Sequence, residues 1–202
     1  KSKEVKAIVE KYNIKLEYDI NPLWELQNSL YDVNWNMPVE PFHLLIIGLI
    51  PWHISFILDD IFSAKEYDLF VSKYNSYKTK YNLPALKGMR RWQGDDWIKV
   101  FPFILFIFKE PLKQRPCIYK CLFMQMQFTR KVLQETITLD QIDQAEKLCA
   151  EWRVQAAKLY GESAVNFPNF HNVIHLFHFI HEWGPCVLYW ARPFEHKHKT
   201  FK

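Results

Sequence analysis

The chain has 202 residues, of which 49% are hydrophobic, 24% are charged and five are glycine. This composition excludes collagen-like, low-complexity and disordered chains, and a chain of this length can bury a core without disulfides or a metal. The net charge of +4 is smaller than a dedicated nucleic-acid-binding domain usually carries. Because the sequence begins at Lys1 rather than at a methionine, we expect it to be a segment of a longer protein.

The first half of the chain shows mainly helical periodicity. Residues 42–58 are apolar for nearly the width of a membrane, but two His, Gly48 and Pro51 interrupt them. This pattern predicts two buried helices hinged at the proline instead of a spanning helix. The other predicted elements are a short helix at 3–12, a turn-rich stretch at 13–41, a helix at 63–79, a polar loop at 82–96 and a helix at 98–108. A buried strand is the alternative for 98–108.

The second half carries clearer helix signals. Thr138 and Gln141 form a capping box, and Gly161 supplies a C-terminal stop. Strand-like alternation is scarce, so we predict a mostly α, bundle-like single domain over residues 1–202 that does not enter a membrane. The predicted helices are an amphipathic one at 118–134, a long one after Thr138, one at 169–183 that stops at Gly184-Pro185, and a last one near Trp190.

Positive charge is concentrated in two stretches. Residues 73–99 carry seven Lys or Arg against two Asp, and residues 192–202 carry four against Glu195. Such patches suit a polyanion, and Trp92 in the first could stack on bases, but composition alone favours ordinary solvated loops. Asp95 and Asp96 oppose DNA binding and could cap the next helix. The candidate nucleic-acid-binding residues are Lys87, Arg90, Arg91, Trp92, Lys197, Lys199 and Lys202.

Histidines and cysteines supply candidate metal ligands. His171 and His175 lie four residues apart on one predicted helix face, where two imidazoles can share a metal. No Glu lies between them as in a zinc peptidase, and an interior histidine bonded to a carbonyl is the structural alternative. Cys117 and Cys121 are a weak zinc signal with the same spacing. The specific zinc hypothesis joins both pairs in one site.

Two glutamates stand in suggestive surroundings. Glu195 has His198 three residues later and Lys199 four residues later, and these cations favour its ionised form. Such a carboxylate can hold a divalent cation or make surface ion pairs. Glu40 precedes His43 at the start of the long apolar stretch, where an acid gains from the helix dipole. Helix capping is the structural alternative to catalysis at that position.

Taken in chain order, the motifs resemble those of the C-terminal half of transposase-like proteins encoded by fungal and animal DNA transposons, akin to CACTA and related plant-type elements. The resemblance covers about residues 20–202. It rests on PVEPFHLLIIGL, a GMRRW loop followed by DDW, a capped helix ending in LYG, PNFHNVIH and GP. The last block consists of Trp190, Phe194, Glu195, His198 and Lys202.

The resemblance implies a ribonuclease-H-like DDE transposase with a helical insertion. In such enzymes three acids hold two Mg²⁺ or Mn²⁺ ions, which activate water or a 3′-hydroxyl for attack on a DNA phosphodiester. Glu195 would be the third acid and Glu40 a second catalytic residue. His171, His175 and His198 would bind metal or orient the acid. DNA as the partner, a nuclear location and possible self-association follow from the same resemblance.

Two departures from the family qualify this expectation. Glu40 stands where the family usually carries the shorter Asp, and this chain offers no candidate for the first acid. We therefore expect a transposase-derived, nucleic-acid-associated domain that is inactive alone, because the first acid and the core strands should lie upstream of Lys1. The alternative is a non-catalytic helical structural or zinc-binding module that mediates protein interactions.

Overall fold

The structure is a computed structural model that describes residues 39–193, which belong to the second of two units in the chain, Val39–Lys202. Every regular element in that range is a helix, and residues 39–193 contain no strand, so the mostly α prediction is confirmed. The helix predicted at 3–12, the turn-rich stretch up to residue 38 and the predictions for residues 194–202 lie outside the described residues.

Helix α1, Phe42–Ile61, runs without a break through Pro51, so the predicted hinge is wrong. The helix consists of π-helical turns at Phe42–Leu49, an α-helical stretch at Ile50–Phe56 and π-helical turns at Ile57–Ile61. A proline in a regular α-helix clashes with the carbonyl group four residues earlier. The wide turns before Pro51, in which the Ile50 N–H donates to the Leu45 carbonyl, accommodate its ring.

Most of the remaining helices agree with the predicted ones to within a few residues, but the helix at Gly94–Val100 begins inside the predicted polar loop at 82–96, and the short helix at Glu162–Val165 was not predicted. The helices after α1 are α2 Ala64–Tyr81, α3 Gly94–Val100, α4 Ile104–Lys109, α5 Pro116–Val132, α6 Leu139–Tyr160, α7 Glu162–Val165 and α8 Pro168–Trp183. The segment predicted at 98–108 is helical as expected, but a 3₁₀ turn at Phe101–Phe103 divides it because Pro102 lacks an N–H donor.

Local capping fixes where several of these helices begin and end. Thr138 and Gln141 form the predicted capping box of α6, and Gly161 ends that helix with a φ of 85°. Ser63 and Glu66 form a second capping box at the start of α2. Asp96 accepts a hydrogen bond from the Gln93 N–H at 3.1 Å and so takes part in capping α3, whereas Asp95 lies 3.8 Å from Arg192.

Helix α1 lies between two hydrophobic cores, which explains why apolar residues cover most of its circumference. One side of α1, including Leu45 and Leu49, packs with helices α5, α6 and α8 around the buried Trp152. The opposite side, including Ile50 and Ile54, packs with helices α2, α3 and α4. By length and composition α1 could cross a membrane, but half of its most apolar stretch is buried against these neighbours.

Candidate functional site

The Glu40 carboxylate joins the start of α1 to the segment near the C-terminus. Its Oε1 accepts hydrogen bonds from the N–H groups of Phe42, at 2.9 Å, and Ala191, at 2.7 Å. Its Oε2 accepts one from the N–H of His43, at 2.8 Å, and lies 2.5 Å from the Nδ1 atom of the same residue. We call this arrangement the Glu40 junction, and it connects residues 151 positions apart in the chain.

Three of the motifs found in the sequence meet around this junction. The ring of Phe42 packs edge-on against Trp190, with ring centroids 5.7 Å apart. A Cβ atom at Gly94 would lie 2.1 Å from the Phe42 ring. Only glycine at this position therefore lets the start of α3 come this close to α1. Arg192 lies 3.8 Å from Asp95 across the same region. The PVEPFH, QGDDW and WARP segments are therefore neighbours.

The hydrogen bonds at Glu40 limit what its carboxylate can do. An ionised carboxylate offers about four lone-pair sites, and the four contacts of the Glu40 junction occupy that number. Three of the donors are backbone N–H groups, two of them at the start of α1, so the helix-capping interpretation is confirmed. Catalysis by Glu40 stays a prediction.

The histidine pair lies on the exposed face of α8. The Nε2 atoms of His171 and His175 are 3.4 Å apart, and both side chains are exposed. Two nitrogens bound to one tetrahedral zinc at about 2.0–2.1 Å would be about 3.3 Å apart, so the pair is correctly spaced for two ligands. The third predicted ligand, His198, lies outside the described residues, and metal binding by the set stays a prediction.

The structure does not assemble the zinc site that would combine both pairs. Cys121 is fully buried in the core between α5 and α6, where burial raises the pKa of its thiol to about 12, whereas Cys117 is exposed. Among residues 39–193, the only close set of three candidate ligands is Asp143, Glu146 and His181. These three side chains are exposed, and sequence reasoning did not single them out.

The loop between α2 and α3 presents cations to solvent. Lys87, Arg90 and Arg91 are exposed, and Arg90 donates a hydrogen bond to Asp59 at 3.0 Å. Trp92 is half-buried: its indole N–H donates to the Ala85 carbonyl at 3.0 Å, and its ring packs against Tyr74 and Trp97. The tryptophan thus anchors the loop to the core, and base stacking by Trp92 stays a prediction.

Five of the predicted site residues belong to the last block of the sequence. Glu195, His198, Lys197, Lys199 and Lys202 all lie outside the described residues.

A buried polar network was missed by sequence reasoning. His53 is fully buried; its Nδ1 lies 2.6 Å from the Gln125 amide oxygen and its Nε2 lies 2.6 Å from the Tyr160 hydroxyl. An amide oxygen only accepts hydrogen bonds, so Nδ1 carries the proton and Nε2 accepts from Tyr160. Burial lowers the pKa of His53 to about 4, so the ring is neutral. The network holds α1, α5 and α6 together.

Comparison with protein-family models, with curated proteins and with solved structures finds no match to this chain.

Proposed function

We propose that this chain is the C-terminal helical part of a transposase-like protein and that it associates with nucleic acid through its exposed cations. The observation that carries the proposal is the Glu40 junction. Segments that resemble the transposase motifs are distant in sequence, yet the segment that carries Glu40 and Phe42 contacts both WARP and QGDDW. Such convergence is what a shared role of these motifs would require.

The charge of the described surface supports a polyanionic partner. Lys87 and Arg91 project from the loop between α2 and α3, next to the ion pair of Arg90 with Asp59. A run of 24 residues between Glu110 and Glu135 also contains no acid. Besides Arg115, which forms an ion pair with Glu66 at 2.7 Å, this run has four cations: Lys113, Lys120, Arg130 and Lys131. Such cations attract phosphates over about a Debye length and release condensed counterions when they bind.

The described residues do not complete the metal site that the resemblance implies. Mg²⁺ and Mn²⁺ prefer oxygen ligands, and the lone pairs of Glu40 are already occupied by hydrogen-bond donors. The histidine pair suits zinc better than magnesium. The proposal therefore assigns Glu40 the task of holding the junction together, keeps Glu195 as the candidate metal-binding acid and draws no reaction step through a metal.

Fluorescence anisotropy with a labelled DNA duplex tests the proposed function. We expect the 202-residue chain to bind at low salt, and log K to fall linearly with log salt concentration. The double variant Lys87→Ala/Arg91→Ala should bind more weakly, and its salt slope should be shallower by about 0.9 for each lost phosphate contact.

The variant Lys147→Ala/Lys158→Ala is the matched control. It removes the same charge from exposed positions on α6. It should change binding much less than the loop variant does. Absence of binding at low salt, or an equal loss in both double variants, would refute a nucleic-acid surface at the loop.

A further inference from the structure

An open groove lies between helices α4 and α5 and the 3₁₀ turn that precedes α4. Its volume is about 600 Å³, and apolar side chains form most of its lining. The Tyr119 hydroxyl donates to the Leu105 carbonyl at 3.3 Å and so ties its two walls together. The lining residues are Phe101, Pro102, Leu105, Phe106, Lys109, Tyr119, Phe123, Met126, Gln127 and Arg130, and we call this feature the α4–α5 groove.

Two phenylalanines in the groove expose their rings. Phe106 on α4 is 61% exposed and Phe123 on α5 is 43% exposed. In the part of the chain that the structure describes, neither ring contacts another aromatic ring, whereas the nearby Phe103 stacks on Tyr81 with ring centroids 4.4 Å apart. Large aromatic side chains exposed within one concave surface are a feature that ligand-binding grooves share.

The charged residues that line the groove are both cations. Lys109 and Arg130 stand beside the two phenylalanines, no acidic residue lines the groove, and neither cation forms an ion pair with a described residue. On α5 the residues Lys120, Phe123, Gln127 and Arg130 are spaced by three, four and three positions, so they lie on one helix face. The stripe alternates cationic, aromatic and amide groups over about 15 Å.

We propose that the α4–α5 groove binds single-stranded nucleic acid, with bases stacked on Phe106 and Phe123 and phosphates paired with Lys109 and Arg130. Every base has a face that can stack on an aromatic ring, and a single strand leaves that face accessible. A duplex buries its base faces, so the groove distinguishes the two forms of nucleic acid. This proposal rests on the proposed function and specifies the form of nucleic acid and a second contact surface.

A protein segment is the competing occupant of an apolar groove. An amphipathic helix would also bury the apolar lining, but it would depend on hydrophobic contact rather than on ring faces. Among the described residues, the two cations of the lining form no ion pair and no acid lines the groove, which favours a polyanion. Substituting Leu for Phe separates the two cases, because leucine keeps the apolar bulk and removes the stacking surface.

The test measures binding of a labelled oligothymidylate and a labelled duplex to the 202-residue chain. The variant Phe106→Leu/Phe123→Leu should lose roughly 10-fold or more in affinity for the single strand, because base–aromatic stacking contributes strongly to such complexes. Its affinity for the duplex should change less than twofold. The variant Phe106→Trp/Phe123→Trp should retain single-strand binding. Val154→Ala, which alters an exposed apolar residue on α6, serves as the control.

A second readout locates the strand. Photo-crosslinking with an oligonucleotide that contains 5-iodouracil should join the base to a peptide containing Phe106, Tyr119 or Phe123. The Lys109→Ala/Arg130→Ala variant should have a single-strand salt slope shallower by about 0.7 for each lost phosphate contact.

The outcomes separate this proposal from the proposed function. If the wild-type chain binds the duplex and the Phe→Leu variant binds the single strand as well as wild type, the groove proposal fails and the proposed function stands. Crosslinks confined to the loop that carries Lys87 and Arg91 would likewise overturn the groove proposal and leave the proposed function standing. If the chain binds neither form of nucleic acid, both fail. A peptide that occupies the groove and is not displaced by oligothymidylate would also overturn the groove proposal.

Discussion

The buried His53 makes the stability of this fold depend on pH. Its ring is fully buried and neutral, and burial lowers its pKa from about 6.5 to about 4. In the unfolded chain the same ring is protonated at pH values below about 6.5. Between these two values the unfolded state binds more protons than the folded state, so the free energy of unfolding must fall as the pH falls.

The structure sets the size of this effect. Each unit of difference in pKa between the folded and unfolded states corresponds to 1.36 kcal/mol, so a difference of about 2.5 units corresponds to roughly 3 kcal/mol. The contribution of His53 is fully present above pH 6.5 and is lost as the pH falls to about 4. Protonation would also place a positive charge at Nε2, where the ring now accepts a hydrogen bond from Tyr160.

Urea unfolding at several pH values between 7 and 4 measures this dependence. The glutamine of the His53→Gln variant does not titrate, so the free energy of unfolding of wild type should fall by roughly 3 kcal/mol more than that of the variant over this pH range. Carboxyl groups titrate in both proteins, and their contribution cancels in the difference. NMR of the imidazole should show His53 neutral in the folded protein near pH 5. A folded-state pKa near 6.5, or equal losses of stability in wild type and His53→Gln, would show that burial does not keep the His53 ring neutral.

Two further predictions concern the Glu40 junction. Glu40→Gln replaces one acceptor oxygen with a donor that faces the His43 N–H. Hydrogen bonds to charged groups contribute about 1.5–3 kcal/mol, so the free energy of unfolding measured in urea titrations should fall by about 2 kcal/mol. Unchanged stability would mean that the junction does not form. Gly94→Ala places a methyl group against the Phe42 ring, so it should lower the free energy of unfolding by about 1–3 kcal/mol. In the double variant Gly94→Ala/Phe42→Leu, the smaller leucine side chain should recover part of this loss. If Gly94→Ala is as stable as wild type in thermal unfolding, α3 does not approach α1 as closely as described.

Features that depend on neighbouring residues were predictable from the sequence. The capping box of Thr138 and Gln141 and the stop at Gly161 lie within a few residues of the helix ends they define, so the residues that form these signals are close together in the sequence. The hinge at Pro51 was wrong because the cores on both sides of α1 hold one continuous helix, and its wide turns absorb the proline. A proline signal alone carries no information about that packing.

Features that join distant segments were not predictable in the same way. His53 bonds to partners 72 and 107 residues away, and the Glu40 carboxylate bonds to a residue 151 positions away. Sequence patterns marked Glu40 as a helix cap but could not show its bond to Ala191. The groove was missed because its walls come from two helices, although the acid-free run between Glu110 and Glu135 was a signal that could have drawn attention to α5.

We propose that this chain associates with nucleic acid through its cations, and the strongest test of that claim is the salt dependence of DNA binding. Anisotropy titrations of the 202-residue chain at a series of salt concentrations should give a straight line of log K against log salt with a slope of several units. The slope should become shallower when Lys87 and Arg91 are replaced by alanine. Binding that is absent at low salt, or an affinity that does not change with salt, would contradict the claim.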